Sequence, residues 1–145
     1  MEKAKVIKVS EIMGFSPSGS EGGYSSRLLI EPEGVGSSRL TLVHATLKPN
    51  LAPYEPAAHP VPYDEAYYIL RGQGKVEFDG GKESYDVGPD TAVFIPAGTL
   101  HTIINTGTEA LEFLGIMPLV PTEESQHGLY FERIKAWGTS FRKID

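Results

Sequence analysis

Between Glu65 and Pro118 the chain is cut into six short apolar segments, "EAYYILRG", "GKVEFDGG", "KESYDVG", "TAVFIPAG", "LHTIINTG" and "ALEFLGIMP", punctuated by Gly, Pro or Asp-Gly. Each is too short for an ordinary helix and rich in β-branched and aromatic residues, so each reads as a strand. Short strands at such even spacing predict an all-β fold, either an antiparallel barrel or a double-sheet jelly roll. The 16 glycines and 11 prolines among 145 residues fit tight turns better than helices. A hydrophobic fraction of 40% is enough for one real core, so a single domain over 1–145 is expected.

The N-terminal third is less regular. A short opening strand is expected at Lys5 to Val9. "GFSPSGSEGGYSS", about 14–26, then reads as a flexible Gly/Ser loop, either a mobile surface loop or a lid. Arg27 to Ile30 and Arg39 to Leu47 read as a hairpin joined through "EPEGVGSS". "KPNLAPYEPAAHPVP" holds five prolines, which remove backbone donors and leave an extended edge or a loop. In the C-terminal stretch one helical turn is expected at Thr122 to Gln126 and an extended piece through Leu129 to Ile134.

Charge and composition exclude several chemistries. The formal charge of -6 gives no basic surface for phosphates or anionic lipid, so nucleic acid and membrane are not expected partners. No cysteine is present, which removes disulfides, thiolate zinc sites and thiol nucleophiles. A metal site would have to use His, Asp or Glu. The charged opening residues and the lack of any apolar run of bilayer-spanning length point to the cytoplasm.

Strand alternation brings chemically interesting groups together. Glu65, Tyr67 and Ile69 share one face, Ala66, Tyr68 and Leu70 the other, and His101, Ile103 and Asn105 share a face of their own strand. If both strands line one interior, a carboxylate, a phenol and an imidazole converge among apolar side chains, and His59 joins them if its segment runs extended. A buried carboxylate is costly unless a positive charge compensates it, and a divalent cation held with neutral imidazoles supplies that charge. The alternative is a structural pairing of Glu65 with a histidine or with Arg71, and a turn-capping role for His101. Tyr67 is either an acid/base or a packing aromatic. His44 can face either side of its strand, and His127 reads as a solvated loop residue. Glu55 and Asp64 read as surface carboxylates, with Asp64 placed to orient the ligand segment. Arg39, Arg71 and Lys75 face either water or an anionic substrate.

The order of these residues resembles the cupin superfamily, and in particular its small single-domain members. The first cupin motif, about 58–72, is matched by His59, Glu65 and Gly72 at the family's spacing, while Val61 stands where a second histidine is usual and no clear leading glycine precedes His59. In the second, about 88–105, "PAGTLHTIIN" supplies Pro96, Gly98, His101 and Asn105, with Gly88 as the leading glycine two residues further away than usual. The resemblance implies a double-stranded β-helix and a metal held by His59, Glu65 and His101. A divalent Fe, Mn, Ni or Zn ion suits such a set, and two imidazoles with one carboxylate remain a legitimate site for non-haem iron(II). Tyr67 is the expected catalytic residue, and Tyr63 and Tyr67 are the nearest groups to fill the gap left by Val61. The function implied is a metal-dependent enzyme acting on a small molecule, of the lyase, isomerase, decarboxylase or dioxygenase class. The alternative is a non-catalytic barrel that binds a small molecule with weak metal binding or none. Cupin barrels commonly pair, so a homodimer is expected.

Overall fold

The computed structural model describes residues 3–17, 23–49, 63–118 and 141–144. Its strands are β1 (Gly14–Pro17), β2 (Tyr24–Ile30), β3 (Leu40–Leu47), β4 (Glu65–Arg71), β5 (Gly74–Phe78), β6 (Glu83–Val87), β7 (Ala92–Ile95), β8 (His101–Asn105), β9 (Leu111–Pro118) and β10 (Phe141–Ile144). They form two antiparallel sheets, a seven-stranded one in the order β10-β1-β2-β3-β9-β4-β7 and a three-stranded one in the order β6-β5-β8. The six punctuated segments became β4 to β9, one strand each. The fold is all-β and antiparallel as the spacing predicts, and among the described residues one α-helical turn, α1 (Pro32–Val35), lies in the β2–β3 connection.

Two expectations in the N-terminal third are corrected. Residues 3–8 form no strand and Val9–Glu11 is a 3-10 turn. Val6 is 91% exposed, so its apolar pattern has no sheet face to pack on. The Gly/Ser stretch is not one loop from 14 to 26, because Gly14–Pro17 pairs along β10 and Tyr24 opens β2. Serine is compatible with a buried strand when its hydroxyl bonds internally. Ser16 is fully buried and its Oγ donates to the Tyr24 carbonyl at 2.5 Å. The expected hairpin does form, with Tyr24 opposite Leu47 and a register shift between Leu28 and Ile30. The expectations for Thr122 to Gln126 and Leu129 to Ile134, and most of the proline-rich stretch, lie outside the described residues.

The period of two fills the space between the sheets. β3 buries Thr41, Val43, Ala45 and Leu47, β4 buries Glu65, Tyr67 and Ile69, and β9 buries Leu111, Phe113 and Met117. Val76, Val87 and Ile103 close the core from the three-stranded sheet. Each fully buried aliphatic or phenyl side chain contributes roughly 1.5–3 kcal/mol. Two glycines set the turns that aim the site strands. At Gly98 (φ +80°) the chain reverses, Thr99 N donating to the Pro96 carbonyl at 3.1 Å. At Gly72 (φ +88°) the backbone passes so close to the β8–β9 connection that a Cβ would stand 2.5 Å from Ala110 O. Only glycine suits either place.

Candidate functional site

Glu65 and His101 reach the same point from opposite sheets. Glu65 is the first residue of β4, paired with Ile95 of β7. Just before it, Asp64 Oδ1 accepts a hydrogen bond from Ala97 N at 3.0 Å. That bond ties the start of β4 to the turn leading into β8, and Asp64 is itself exposed, as expected of a surface carboxylate. His101 opens β8 opposite Phe78, with Asp79 N donating to the Leu100 carbonyl at 2.9 Å. Side-chain exposure is 4% for Glu65 and 1% for His101, and Glu65 Oε2 lies 3.7 Å from His101 Nε2.

The imidazole is held by its other nitrogen. His101 Nδ1 lies 2.9 Å from the Thr99 carbonyl, and since a carbonyl only accepts, Nδ1 carries the hydrogen. Nε2 is thereby directed at the carboxylate. This is the orientation that a backbone carbonyl imposes on metal-ligating histidines. Two donors sharing one cation at about 2.1 Å each stand at most about 4.2 Å apart, and 3.7 Å falls inside that reach. The pair therefore fits a cation as well as it fits a proton on the ring. Among the described residues no group of three His, Asp or Glu side chains converges. His59 and Val61 lie outside the described residues, as do Glu55 and His127.

Tyr67 stands beside this pair. Its ring is 7% exposed, edge-on to His101 at a centroid distance of 6.1 Å and tilted against Phe113 at 4.9 Å. It is both a packing aromatic and a neighbour of the imidazole. Tyr63 is buried too, but in the second apolar cluster with Leu28, Val43 and Met117.

Other candidates are set apart from the site. Arg71 extends to Glu112 at 3.6 Å with 71% of its side chain exposed, so it is not the partner of Glu65. Lys75 pairs with Glu77 at 2.8 Å, and Arg39 is exposed. His44 lies on the half-buried outer face of β3, between Arg27 and Leu114 in register. Burial lowers its pKa below the ordinary histidine value, Glu112 opposing the effect and Arg27 adding to it. Asn105 does structural work, its Nδ2 donating to the carbonyls of Leu47 and Glu109 at 2.9 and 2.8 Å.

Three features escaped the sequence reading. The Thr99 carbonyl is backbone and carries no residue signal. Thr41, 4% exposed, and Gly115 both face inward at the Glu65 end of β3 and β9. Extending the same alternation through "LEFLGIMP" would have revealed a glycine in the middle of an apolar inward row.

Comparison with known proteins agrees with this architecture. The polyketide cyclase RemF from Streptomyces resistomycificus superposes with a TM-score of 0.67 at 19% identity, over 93% of this chain and 99% of that one. A predicted oxalate decarboxylase from Thermotoga maritima gives a TM-score of 0.64 at 26% identity, over 80% and 100% of the two chains. A glucose-6-phosphate isomerase from Thermococcus kodakarensis is 37% identical over 57 residues, which is 37% of this chain. The match spans only 30% of that isomerase. The family described as Cupin domain matches residues 43–117, from the middle of β3 to the end of β9 and across both site strands. That span covers more than half of the sequence, and the chain belongs to the cupin domain family.

Proposed function

We propose that this cupin is a metal-dependent enzyme acting on a small organic molecule, with Glu65, His101 and His59 as the cation's protein ligands. The observation that carries the reading is the buried approach of His101 Nε2 to Glu65 Oε2 at 3.7 Å, with the ring already fixed by Thr99. A divalent Fe, Mn, Ni or Zn ion, when bound, would supply Lewis-acid polarisation of a substrate oxygen. The chain's own residues do the rest. Glu65 offsets the charge brought into an apolar interior, the Thr99 carbonyl holds the imidazole in one tautomer, and Tyr67 exchanges a proton with the substrate. The surrounding aliphatic and aromatic side chains exclude water and strengthen each polar contact. Among the relatives, a polyketide cyclase, a predicted oxalate decarboxylase and a glucose-6-phosphate isomerase are all named as enzymes on small molecules. Their variety supports the class without selecting a reaction.

Metal content tests the reading directly. The untagged native chain, purified without chelator, is expected to carry stoichiometric metal that the His59→Ala, His101→Ala double variant lacks. Equal and negligible metal in both would favour the second reading, a barrel that binds a small molecule without catalysis. Val61, with no donor atom at a position where cupins usually place histidine, is the observation that keeps that reading alive. Val61→His should tighten metal retention; unchanged retention would place residue 61 away from the site.

The proposed assembly is a homodimer. Leu42, Ile116, Ala66 and Phe94 lie side by side across β3, β9, β4 and β7 on the outer face of the larger sheet. Phe94 is 65% and Tyr68 36% exposed. A two-fold pairing buries such a patch against its own copy and needs no second complementary surface. Sedimentation of the native chain at twice the monomer mass, reduced by Phe94→Asp, is the expected result.

A further inference from the structure

β9 lies inside the larger sheet between β3 and β4, and its inward positions are Leu111, Phe113, Gly115 and Met117. A glycine inside a strand weakens it, and usually marks a bulge or bend, a close approach of another backbone, or a close approach of a ligand. The first does not apply. β9 pairs with β3 without interruption from Leu40 opposite Pro118 to Leu47 opposite Leu111, and Gly115 stands in regular register with Val43 and Tyr67. The register shift on the β4 side falls between Ile69 and Arg71, beyond Gly115. The second does not apply either. Among the described residues the nearest atoms to a Cβ built at Gly115 are all side-chain atoms at ordinary contact distance: Met117 Cε at 3.5 Å, Val43 Cβ at 3.8 Å and Glu65 Oε1 at 3.9 Å.

We propose that Gly115 is a specificity-determining residue whose missing side chain leaves a notch beside Glu65 Oε1 for the flat apolar flank of the ligand. This rests on the reading that Glu65 and His101 form the binding centre. The notch is edged by the terminal methyl of Met117 and by Val43 Cβ, with Tyr67 opposite Gly115 on β4 and Phe113, against which the Tyr67 ring is tilted, at the next inward position of β9. Such walls take an aromatic or unsaturated group and adapt to its outline. Among the described buried residues the titratable side chains are Glu31, Glu65, His101 and the phenols of Tyr24, Tyr63 and Tyr67, with no lysine or arginine. Among these described residues a phosphorylated ligand meets no buried lysine or arginine. The class that fits is a phenol- or enol-type oxygen donor, its oxygen at Glu65 and His101 and its unsaturated flank over Gly115.

The test uses the methyl of Met117 as reporter. The chain has three methionines, so a sample labelled with 13C at the methionine methyls gives a readable spectrum, with half-exposed Met13 as internal control. Phenol is expected to shift the Met117 signal saturably in the native chain. The affinity should fall a few-fold in Gly115→Ala and at least tenfold in Gly115→Val, with melting temperatures showing both variants folded. Should the valine variant fail to fold, the alanine variant decides. Glucose 6-phosphate, the counter-probe, should leave Met117 unmoved. The proposal falls if phenol does not move Met117 in the native chain, if binding stays within twofold in the variants, or if glucose 6-phosphate binds better than phenol. Manganese added to the same samples separates this from the metal reading. Broadening of Met117 by Mn2+ with phenol indifferent to residue 115 would remove the notch and keep the metal; the reverse pattern would keep the notch and remove the metal.

Discussion

The inner face of the larger sheet has two unlike ends. At one end Leu47 faces Leu111, and Ala45, Phe113 and Ile69 form the next row, all of them buried and apolar. At the other, Thr41 faces Met117, Val43 faces Gly115, and Ala66 opposite Ile116 sets Glu65 level with Met117. The same strands and the same alternation thus build a packed plug at one end and, at the other, a glycine and a carboxylate that His101 meets from the smaller sheet. The plug end buries no charge, and Ser26, fully buried opposite Ala45, brings only a hydroxyl. The opposite end can then hold a charge whose burial would be costly in an isolated strand.

The strongest way to break this comparison is at the plug. Leu111→Ala should cost about 2–5 kcal/mol of unfolding free energy, from lost burial and the cavity left behind. Denaturant titration measures it, and a loss under 1 kcal/mol would show that the plug is not where the fold is held. The site end should respond with the opposite sign. Replacing both polar partners, Glu65→Met with His101→Leu, should leave stability unchanged or raise it by about 1–4 kcal/mol in chelator, because two desolvated groups are exchanged for packing. Either change alone removes one side of the Glu65–His101 approach while keeping the other group buried, and should lower the melting temperature. A double variant less stable than both singles would mean that the pair itself stabilises the barrel.

The plug was more legible in the sequence than the site. Each strand from β4 to β9 came from apolar alternation and its closing turn residue, because a half-buried strand records its inner face directly in residue type. Glu65, Tyr67 and Ile69 on one face, and His101 with Ile103 on another, were read the same way. The Gly/Ser stretch misled because small polar residues signal loops, whereas Ser16 is buried and bonded to the Tyr24 backbone. The opening Lys5 to Val9 misled for the converse reason, an apolar pattern without a sheet to join. That His101 is aimed by Thr99 depends on a backbone carbonyl placed by the Gly98 turn, and that Gly115 abuts Glu65 depends on register between strands far apart in sequence. Neither is written in local composition.

A smaller test compares the two faces of β7, where Val93 and Ile95 point inward at 8% and 0% exposure and Phe94 outward at 65%. Phe94→Asp should change the stability of the separated monomer by no more than about 0.5 kcal/mol, as surface substitutions do. Its effect should appear instead in the concentration dependence of sedimentation. A large loss of monomer stability would assign the outer face to the fold instead of to association.

The smallest effect separates the two histidines that face opposite sides of the barrel wall. His44 sits on the outer face of β3 with its pKa lowered by burial, against the opposing influence of Glu112 and with the reinforcement of Arg27. The folded chain therefore takes up this proton less readily than the unfolded chain does. Where the unfolded state binds more protons, stability rises with pH and is lost as pH falls. His44 should cost nothing well above its ordinary value of about 6.5. Its cost should grow as pH falls through that value and level off below the lowered one. Across pH 7.5 to 5 the melting temperature of His44→Gln should accordingly fall less steeply than that of the native chain, and the two should run parallel at higher pH. Parallel curves over the whole range would mean that the outer face is as open to solvent around His44 as an unfolded chain, and the contrast between the two faces would be weaker than the burial pattern indicates.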